Sequence, residues 1–279
     1  MGKSQAQGPK RGKRRAQRLF NFLVEGLVPA HPKKKANWLY LYKAIRYKLQ
    51  LPVRVHGIWV KVHKVDSETI VGRLLAGMYE ASESRSLRTL IGPKDRILEV
   101  GTGLGVIGCM AAQLANAGEV LSFEANPKLV ELARETIRAN KVKNIHVRSG
   151  ILAEEAGSAS FYVAPNFWAS STTPHPEWPQ IQVETHPILD VLNAFPPTCL
   201  VMDIEGGEYE LLPLPALAQC ETLQKLVVEF HPLPDAAAKL SNLWLFDAAV
   251  WSCSWPKEAL FDRLSNFNAT VVFQRMEAQ

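Results

Sequence analysis

The sequence predicts an α/β fold: a mostly parallel, Rossmann-like sheet with helices on both faces, preceded by a basic, partly helical N-terminal extension. Three observations carry this expectation. Short apolar runs alternate with amphipathic stretches from residue 96 onward, a pattern that buries parallel strands between two helical layers. The first of those runs, "ILEVGTGLGVIG" at 97–108, passes straight into a glycine-rich turn. The charge is also sharply divided. Residues 1–64 hold 16 Lys/Arg against one acid, Glu25, whereas the remaining 215 residues hold 16 Lys/Arg against 26 Asp/Glu.

Taken in order, residues 1–17 are Gly-, Gln- and Lys/Arg-rich, the composition of a disordered basic tail. Residues 18–64 form the extension. Leu19, Phe20, Phe22, Leu23 and Leu27 make a short apolar stripe stopped by Pro29. Trp38, Leu41, Tyr42, Ile45 and Leu49 share one helical face with Lys43, Arg46 and Lys48 interleaved. Two readings follow: these segments lie on a membrane surface, or they pack against the main domain. The alternation over 53–63 reads as a β-hairpin or edge strand, and a helix is expected over 67–89.

The main domain, 65–279, then brings strand 96–100, the glycine turn and a helix to about 117. Strand 119–124 follows, and then a helix over 127–140 opened by Asn126-Pro127, a cap and first-turn pair. Strand 144–149, a variable region, and strands 199–204 and 224–230 come next. A helix over 235–248 and a last strand at 270–275 complete the pattern. In such sheets ligands bind beyond the carboxyl ends of the strands, where the strand order reverses.

The bulk properties narrow the class. With 279 residues, 47% apolar and 21% charged, the chain suffices for one large core. No apolar run approaches the roughly 20 residues of a membrane span. The start lacks a secretory pattern, and "MGKSQA" carries Ala6 where myristoylation wants Ser or Thr. Cys109, Cys199, Cys220 and Cys253 are scattered and form no C-x-x-C pair, as expected of reduced thiols in a cytoplasmic protein. The basic block implies attraction to phosphate-rich surfaces, either anionic lipid or nucleic acid.

The glycines at 101–108 fit two registers. Gly103, Gly105 and Gly108 match the dinucleotide pattern G-x-G-x-x-G, and Glu99 with Gly101, Gly103 and Gly105 matches the E-x-G-x-G-x-G turn of S-adenosylmethionine (SAM) sites. The turn begins directly after Val100, so Gly101 is its natural first glycine and Val106 falls where the third dinucleotide glycine belongs. Glu124, at the end of the next strand, is placed to accept the ribose hydroxyls common to both ligands. No Tyr-x-x-x-Lys pair for hydride transfer occurs. SAM is therefore the expected cofactor.

A set of ordered motifs adds to this reading: "GMYEASE" (77–83), "ILEVGTGLG", "FEANP" (123–127), "NKVKNIHV" (140–147), "ETHPILDVL" (184–192), "VMDIEGGEYELL" (201–212) and "VVEFHP" (227–232). Together they resemble the FkbM-type SAM-dependent methyltransferases, which act largely as O-methyltransferases on natural products and sugars. The resemblance implies a class I methyltransferase sheet. It also implies a role for Tyr79 and Glu80 at the methionine end of SAM, beside Glu99, Gly101, Gly103, Gly105, Glu124 and Asn126. The turn departs from the family's Asp-Val-Gly-Ala-Asn-x-Gly, and "FEPNP" has become "FEANP". The basic leader lies outside the resemblance.

The chemistry is expected at the strand ends. Asp203 and Glu205 form a charged pair at the end of a buried strand, which calls for a ligand, metal or basic partner. Asp203 is the candidate base or orienting group for an acceptor hydroxyl. His231 is a second base candidate because its ordinary pKa lies near neutrality, with Glu229 as a partner. Glu205 and Glu208 have an alternative role as helix-capping acids. A divalent metal on Asp203 and Glu205 lacks an evident third ligand, and none is assigned; His175 and His186 lack metal spacing. The segment 164–180, with Phe167, Trp168 and Trp178, is expected to be a substrate-selecting loop. The expected acceptor is a hydroxyl on a small molecule, glycan or lipid-linked sugar. The alternatives are a nucleic acid held by the basic arm, or no catalysis at all in a tethered scaffold.

Overall fold

The computed structural model describes residues 38–65, 67–165 and 170–276. The chain divides into two compact units, 1–79 and 80–279. The expected tail at 1–17, the stripe at 19–27, and Phe167 and Trp168 lie outside the described residues.

In the first unit, the helix Trp38–Lys48 is followed by a hairpin of β1 (Val53–Val55) and β2 (Ile58–Val60). Val55 pairs with Ile58, leaving His56 and Gly57 as a two-residue turn with φ of 51° and 100°. Two consecutive left-handed residues twist the chain as a tight hairpin needs. The side chains of Val53, Val55, Ile58 and Val60 are buried, as the sequence alternation predicts. The expected apolar face of the preceding helix splits: Leu41 is buried, whereas Tyr42, Ile45 and Leu49 are exposed.

The helix expected over 67–89 is two helices, Glu68–Ala76 and Ala81–Leu90. Gly77 adopts φ 69° and its N–H bonds to the Leu74 carbonyl while Met78 N–H bonds to Arg73, a left-handed stop that ends the first helix. The first unit thus includes the helix Glu68–Ala76 and closes at Tyr79.

The second unit is built on a seven-stranded sheet in the order β11-β12-β10-β9-β3-β4-β5. β3 (Arg96–Val100), β4 (Glu119–Glu124), β5 (Ile145–Ser149), β9 (Cys199–Met202) and β10 (Lys225–Phe230) pair in parallel. β12 (Ala269–Arg275) runs antiparallel to both β10 and β11 (Trp251–Cys253). β3 and β9 are near-continuous apolar runs because both their faces are covered. From β3 the chain builds outward through β4 to β5. It then returns to lay β9 on the other side of β3, so the strand order reverses between β3 and β9.

A second, three-stranded sheet occupies the region left without assignment in the sequence: β6 (Ile151–Ala153), β7 (Gly157–Tyr162) and β8 (Gln180–Pro187) in the order β6-β8-β7. Its small core joins Phe161 and Val183 to Ala125. The helix Pro127–Asn140 matches expectation, with Asn126 Oδ1 accepting from Lys128 N–H at 3.0 Å and Pro127 in the first turn. The helix after the glycine turn stops at Leu114 rather than 117, and 235–248 yields only Ala236–Leu240 and a 3-10 turn, Trp244–Phe246. The helix Lys257–Leu264 and strand β11 carry no clear periodic signal. Among the described residues no helix is long and apolar enough to cross a membrane.

Candidate active site

The glycine turn leaves β3 with left-handed backbone at Gly101 (φ 90°), Gly103 (53°) and Gly105 (75°). Gly101 has no alternative: a Cβ there would stand 1.8 Å from the Asp203 carbonyl oxygen. The N–H groups of Gly101 and Thr102 both donate to the Phe123 carbonyl, stitching the turn to β4. Gly108 lies one turn into the helix Val106–Leu114, where it lets that helix close onto β3; a Cβ would meet Glu99 Oε2 at 2.5 Å. The turn therefore starts at Gly101, in the register expected of a SAM site.

Glu124 closes β4 against this turn. Its Oε2 accepts the Gly103 N–H at 2.9 Å and its Oε1 accepts the Asn126 N–H at 2.8 Å. Each carboxylate oxygen has a second lone pair, leaving acceptor capacity for a pair of vicinal hydroxyls. Burial pushes the Glu124 carboxyl from its ordinary 4.5 up to about 7, against the pull of those backbone bonds. The left-handed glycine turn and the anchored acid at Glu124 fit SAM. Asn126, 3% exposed, spends its side chain on capping the helix that follows.

Glu99 lies deeper than the sequence reading places it. It is 1% exposed, it packs beneath Gly108, and its Oε2 accepts from Ser122 Oγ, which in turn pairs with Thr102 Oγ1. Burial, with the neighbouring Glu124 charge, pushes it up to about 8. Its geometry supports the turn from within the sheet and helix rather than from the turn's open side. Tyr79 is buried, its carbonyl 2.5 Å from His56 Nε2. Glu80 precedes the helix Ala81–Leu90 with φ 47°. These two residues fall on either side of the division between units.

Beyond β9 and β10 the carboxylates converge on one imidazole. The backbone at Glu205 (φ 53°) and Gly206 (φ 100°) is left-handed, turning 203–207 into a compact loop. Glu208 is 0% exposed and organises it, with Oε1 accepting from Ile204 N–H at 3.0 Å and Oε2 from Gly206 N–H at 2.9 Å. The same Oε1 lies 3.1 Å from His231 Nδ1. His231 Nε2 lies 3.1 Å from Glu205 Oε2 and 3.6 Å from Asp203 Oδ1. Tyr209 Oη donates to the His231 carbonyl at 2.6 Å.

The carboxylates around His231 raise its affinity for a proton. Burial disfavours its charge, but the hydrogen bonds to Glu205 and Glu208 and the Glu208 and Asp203 charges outweigh it and push the imidazole up to about 12. Asp203 is raised as well, which in an acid favours the neutral form: burial first, then the charge of Glu229, lifts it well above its ordinary 3.8 despite His231.

Glu229 is not the partner of His231; it accepts from Asn268 Nδ2 at 3.0 Å. Glu208 serves neither as a simple cap nor as a ligand facing solvent, and its hold on His231 was invisible in sequence. The third group near Asp203 and Glu205 is His231, which the spacing alone does not show. In the loop 164–180, Trp178 stacks on His175 with ring centroids 3.9 Å apart.

A glycine turn at the first strand and an acid at the end of the second, in a parallel sheet with one reversed strand, define a nucleoside-binding α/β domain. Residues 99–252, more than half of the chain, match the family model of the methyltransferase FkbM domain. The chain belongs to the FkbM methyltransferase family, whose cofactor is S-adenosylmethionine. It is also similar to a ribosomal protein L11 methyltransferase of Clostridium perfringens, 29% identical over 46% of this chain and 42% of that one. The corresponding protein of Symbiobacterium thermophilum is 35% identical over 31% of this chain and 28% of its own. The matches thus span less than half the length of these curated relatives. Among solved structures, a precorrin-6y C5,15-methyltransferase of Geobacter metallireducens superposes with a TM-score of 0.41 at 13% identity, covering 70% of this chain and 88% of that one. An O-methyltransferase of Bacillus cereus gives 0.43 at 13% identity, covering 70% and 81%.

Proposed function

We propose that this chain transfers a methyl group from SAM to a hydroxyl of a small molecule or glycan, with Asp203 as the residue that takes or orients the hydroxyl proton. The observation that carries the reading is the contact between the two halves of the site: Asp203 N–H donates to the Val100 carbonyl at 3.0 Å, and its own carbonyl closes over Gly101. The acidic strand end and the cofactor turn are therefore neighbours in one rigid framework.

In this reading the turn through Gly101, Gly103 and Gly105 presents its backbone to the cofactor, with Gly101 and Gly105 needed for its close packing on Asp203 and Ala133, and Glu124 accepts from the ribose hydroxyls. Asn126 keeps Glu124 in place through its N–H, and Glu99 supports the turn from below. Glu80 is assigned to the methionine end, as the resemblance implies. When bound, SAM supplies a sulfonium-activated methyl group, so the chain's own task is alignment and exclusion of water. A carboxyl whose proton affinity is raised by burial, as at Asp203, is suited to receiving or orienting a hydroxyl proton. His231, Glu205 and Glu208 are positioning residues that fix the loop carrying Asp203. The site Asp-Ile-Glu-Gly also differs from the Asn/Asp-Pro-Pro-aromatic strand end suited to base amines.

The acceptor class is tested by transfer of labelled methyl from SAM to hydroxylated small molecules and glycans, to RNA and to protein, with full-length chain. Label is expected in the first group, and Asp203→Asn is expected to slow it by about 10² to 10⁴-fold. Label in RNA alone, lost with a reduced salt slope on deleting residues 1–17, overturns the hydroxyl reading in favour of a nucleic-acid acceptor.

A further inference from the structure

We infer that Asp203, Glu205 and His231 form a divalent-cation site at the acceptor side of the cofactor turn. The inference rests on the methyltransferase reading for its purpose but not for its geometry. The three residues offer Asp203 Oδ1, Glu205 Oε2 and His231 Nε2, and these atoms all lie within 4.8 Å of one another. The two contacts to Nε2, 3.1 and 3.6 Å, are close to the roughly 3 Å edge between adjacent ligands of an octahedral cation with bonds of about 2.1 Å. Asp203 follows the last residue of β9 and His231 the last of β10, and the Asp203 and Glu205 side chains are 29% and 28% exposed, so solvent reaches the group.

Two further features point to a ligand rather than to a closed ion-pair cluster. Asp203 Oδ1 is shut off from solvent and accepts no hydrogen bond, an expensive state for a carboxylate oxygen. Glu208, fully buried, faces Nδ1 of His231 and leaves Nε2 as the nitrogen aimed at the two carboxylates. A buried carboxylate on the far ring nitrogen is the arrangement that fixes the tautomer and orientation of a metal-binding histidine. A dication would take the place of a proton on Nε2 as the partner of the Asp203 and Glu205 carboxylates, with Glu208 remaining on Nδ1.

The donor set indicates which one. Carboxylates suit Mg²⁺, Ca²⁺ and Mn²⁺, imidazole suits first-row transition ions, and Mn²⁺ satisfies both. Its role follows from the reaction. When held by Asp203, Glu205 and His231, a cation would supply Lewis-acid polarisation of the acceptor hydroxyl, whose proton would leave to the free carboxylate oxygen of Asp203 or to water.

The test is titration of the chelator-treated full-length protein with Mn²⁺, read by loss of the free Mn²⁺ spin-resonance signal, with S-adenosylhomocysteine binding measured on the same samples. One Mn²⁺ per chain is expected. Glu205→Gln, on a part-exposed loop residue, is expected to weaken it by about 10-fold or more, and Glu208→Gln by a similar factor through His231. Cofactor-product binding should be unchanged in Glu205→Gln, which shows that the variant is folded. Absence of saturable Mn²⁺ binding in the wild type, or binding indifferent to Glu205→Gln, overturns the inference and leaves an imidazolium held by carboxylates. Mn²⁺ binding without cofactor-product binding would keep the metal site and sink the methyltransferase reading instead.

Discussion

Glu208 Oε1 lies 3.1 Å from Nδ1 of His231, and the same buried carboxylate accepts the N–H groups of Ile204 and Gly206. One side chain thereby holds both the loop that carries Asp203 and the imidazole opposite it. Glu208→Ala strands three donors and leaves a cavity in a fully buried position. The expected loss is about 3–5 kcal/mol of unfolding free energy, read from urea denaturation. A change under about 1 kcal/mol would mean that solvent or a neighbour replaces the carboxylate readily.

Gly101→Ala is expected to abolish cofactor binding. The left-handed backbone costs a non-glycine residue about 1–2 kcal/mol, and the added Cβ would sit 1.8 Å from the Asp203 carbonyl oxygen, so the turn must shift. S-adenosylhomocysteine at about 100 times its dissociation constant should stabilise the wild type by roughly 2.7 kcal/mol and the variant not at all. Thermal melting with and without ligand checks this.

The pH dependence of the ligand-free protein follows from Glu99 and Glu124. Burial raises them to about 8 and about 7 from an ordinary 4.5. The folded state therefore binds more protons than the unfolded state between those values. Their stabilising contribution is fully present below about pH 4.5 and is lost as pH rises through about 7 and 8. Unfolding free energy should fall with rising pH across this window, and the slope should flatten in Glu99→Gln. An unchanged slope in that variant would contradict the burial account of Glu99.

Asp95 has the opposite sign. Burial opposes its charge, but hydrogen bonds from Lys225 Nζ (2.7 Å), Gly92 N–H (2.6 Å) and Thr198 Oγ1 (2.8 Å) prevail and hold it below the usual range. Its contribution is present above an unfolded pKa of 3.8 and disappears as pH falls through the lower folded value. Lys225 is partly exposed, which screens the pair, so Asp95→Asn should cost only about 1–2 kcal/mol at pH 7. The gap to wild type should narrow in acid, as chemical denaturation at both pH values would show.

The parallel core was legible because apolar runs at 96–100, 119–124, 199–202 and 225–230 are buried on both faces, and the Asn126-Pro127 cap fixes the start of its helix to the residue. The small sheet β6-β8-β7 was not, since β7 ("GSASFY") alternates weakly and "HP" at 186–187 reads as a break although it ends β8, whose Ile181, Val183 and Thr185 do alternate inward. Gly77 split a helix whose flanking periodicity runs on regardless. At the site, the residue types at 203, 205 and 231 announced chemistry, but their meeting depends on β9 lying beside β10, a long-range fact. The raised proton affinity of His231 depends on Glu208, which opens a short helix and reads locally as a cap.

On the proposed reading, the turn at Gly101 and the carboxylate of Glu124 together hold S-adenosylmethionine. Calorimetric titration of the full-length chain with S-adenosylhomocysteine and, separately, with NAD tests it most directly, alongside Glu124→Ala. The account predicts saturable binding of S-adenosylhomocysteine alone, weakened by about 10-fold or more in the variant, which loses a charged acceptor for two hydroxyls. Binding of NAD, or S-adenosylhomocysteine binding that is indifferent to Glu124→Ala, would contradict it.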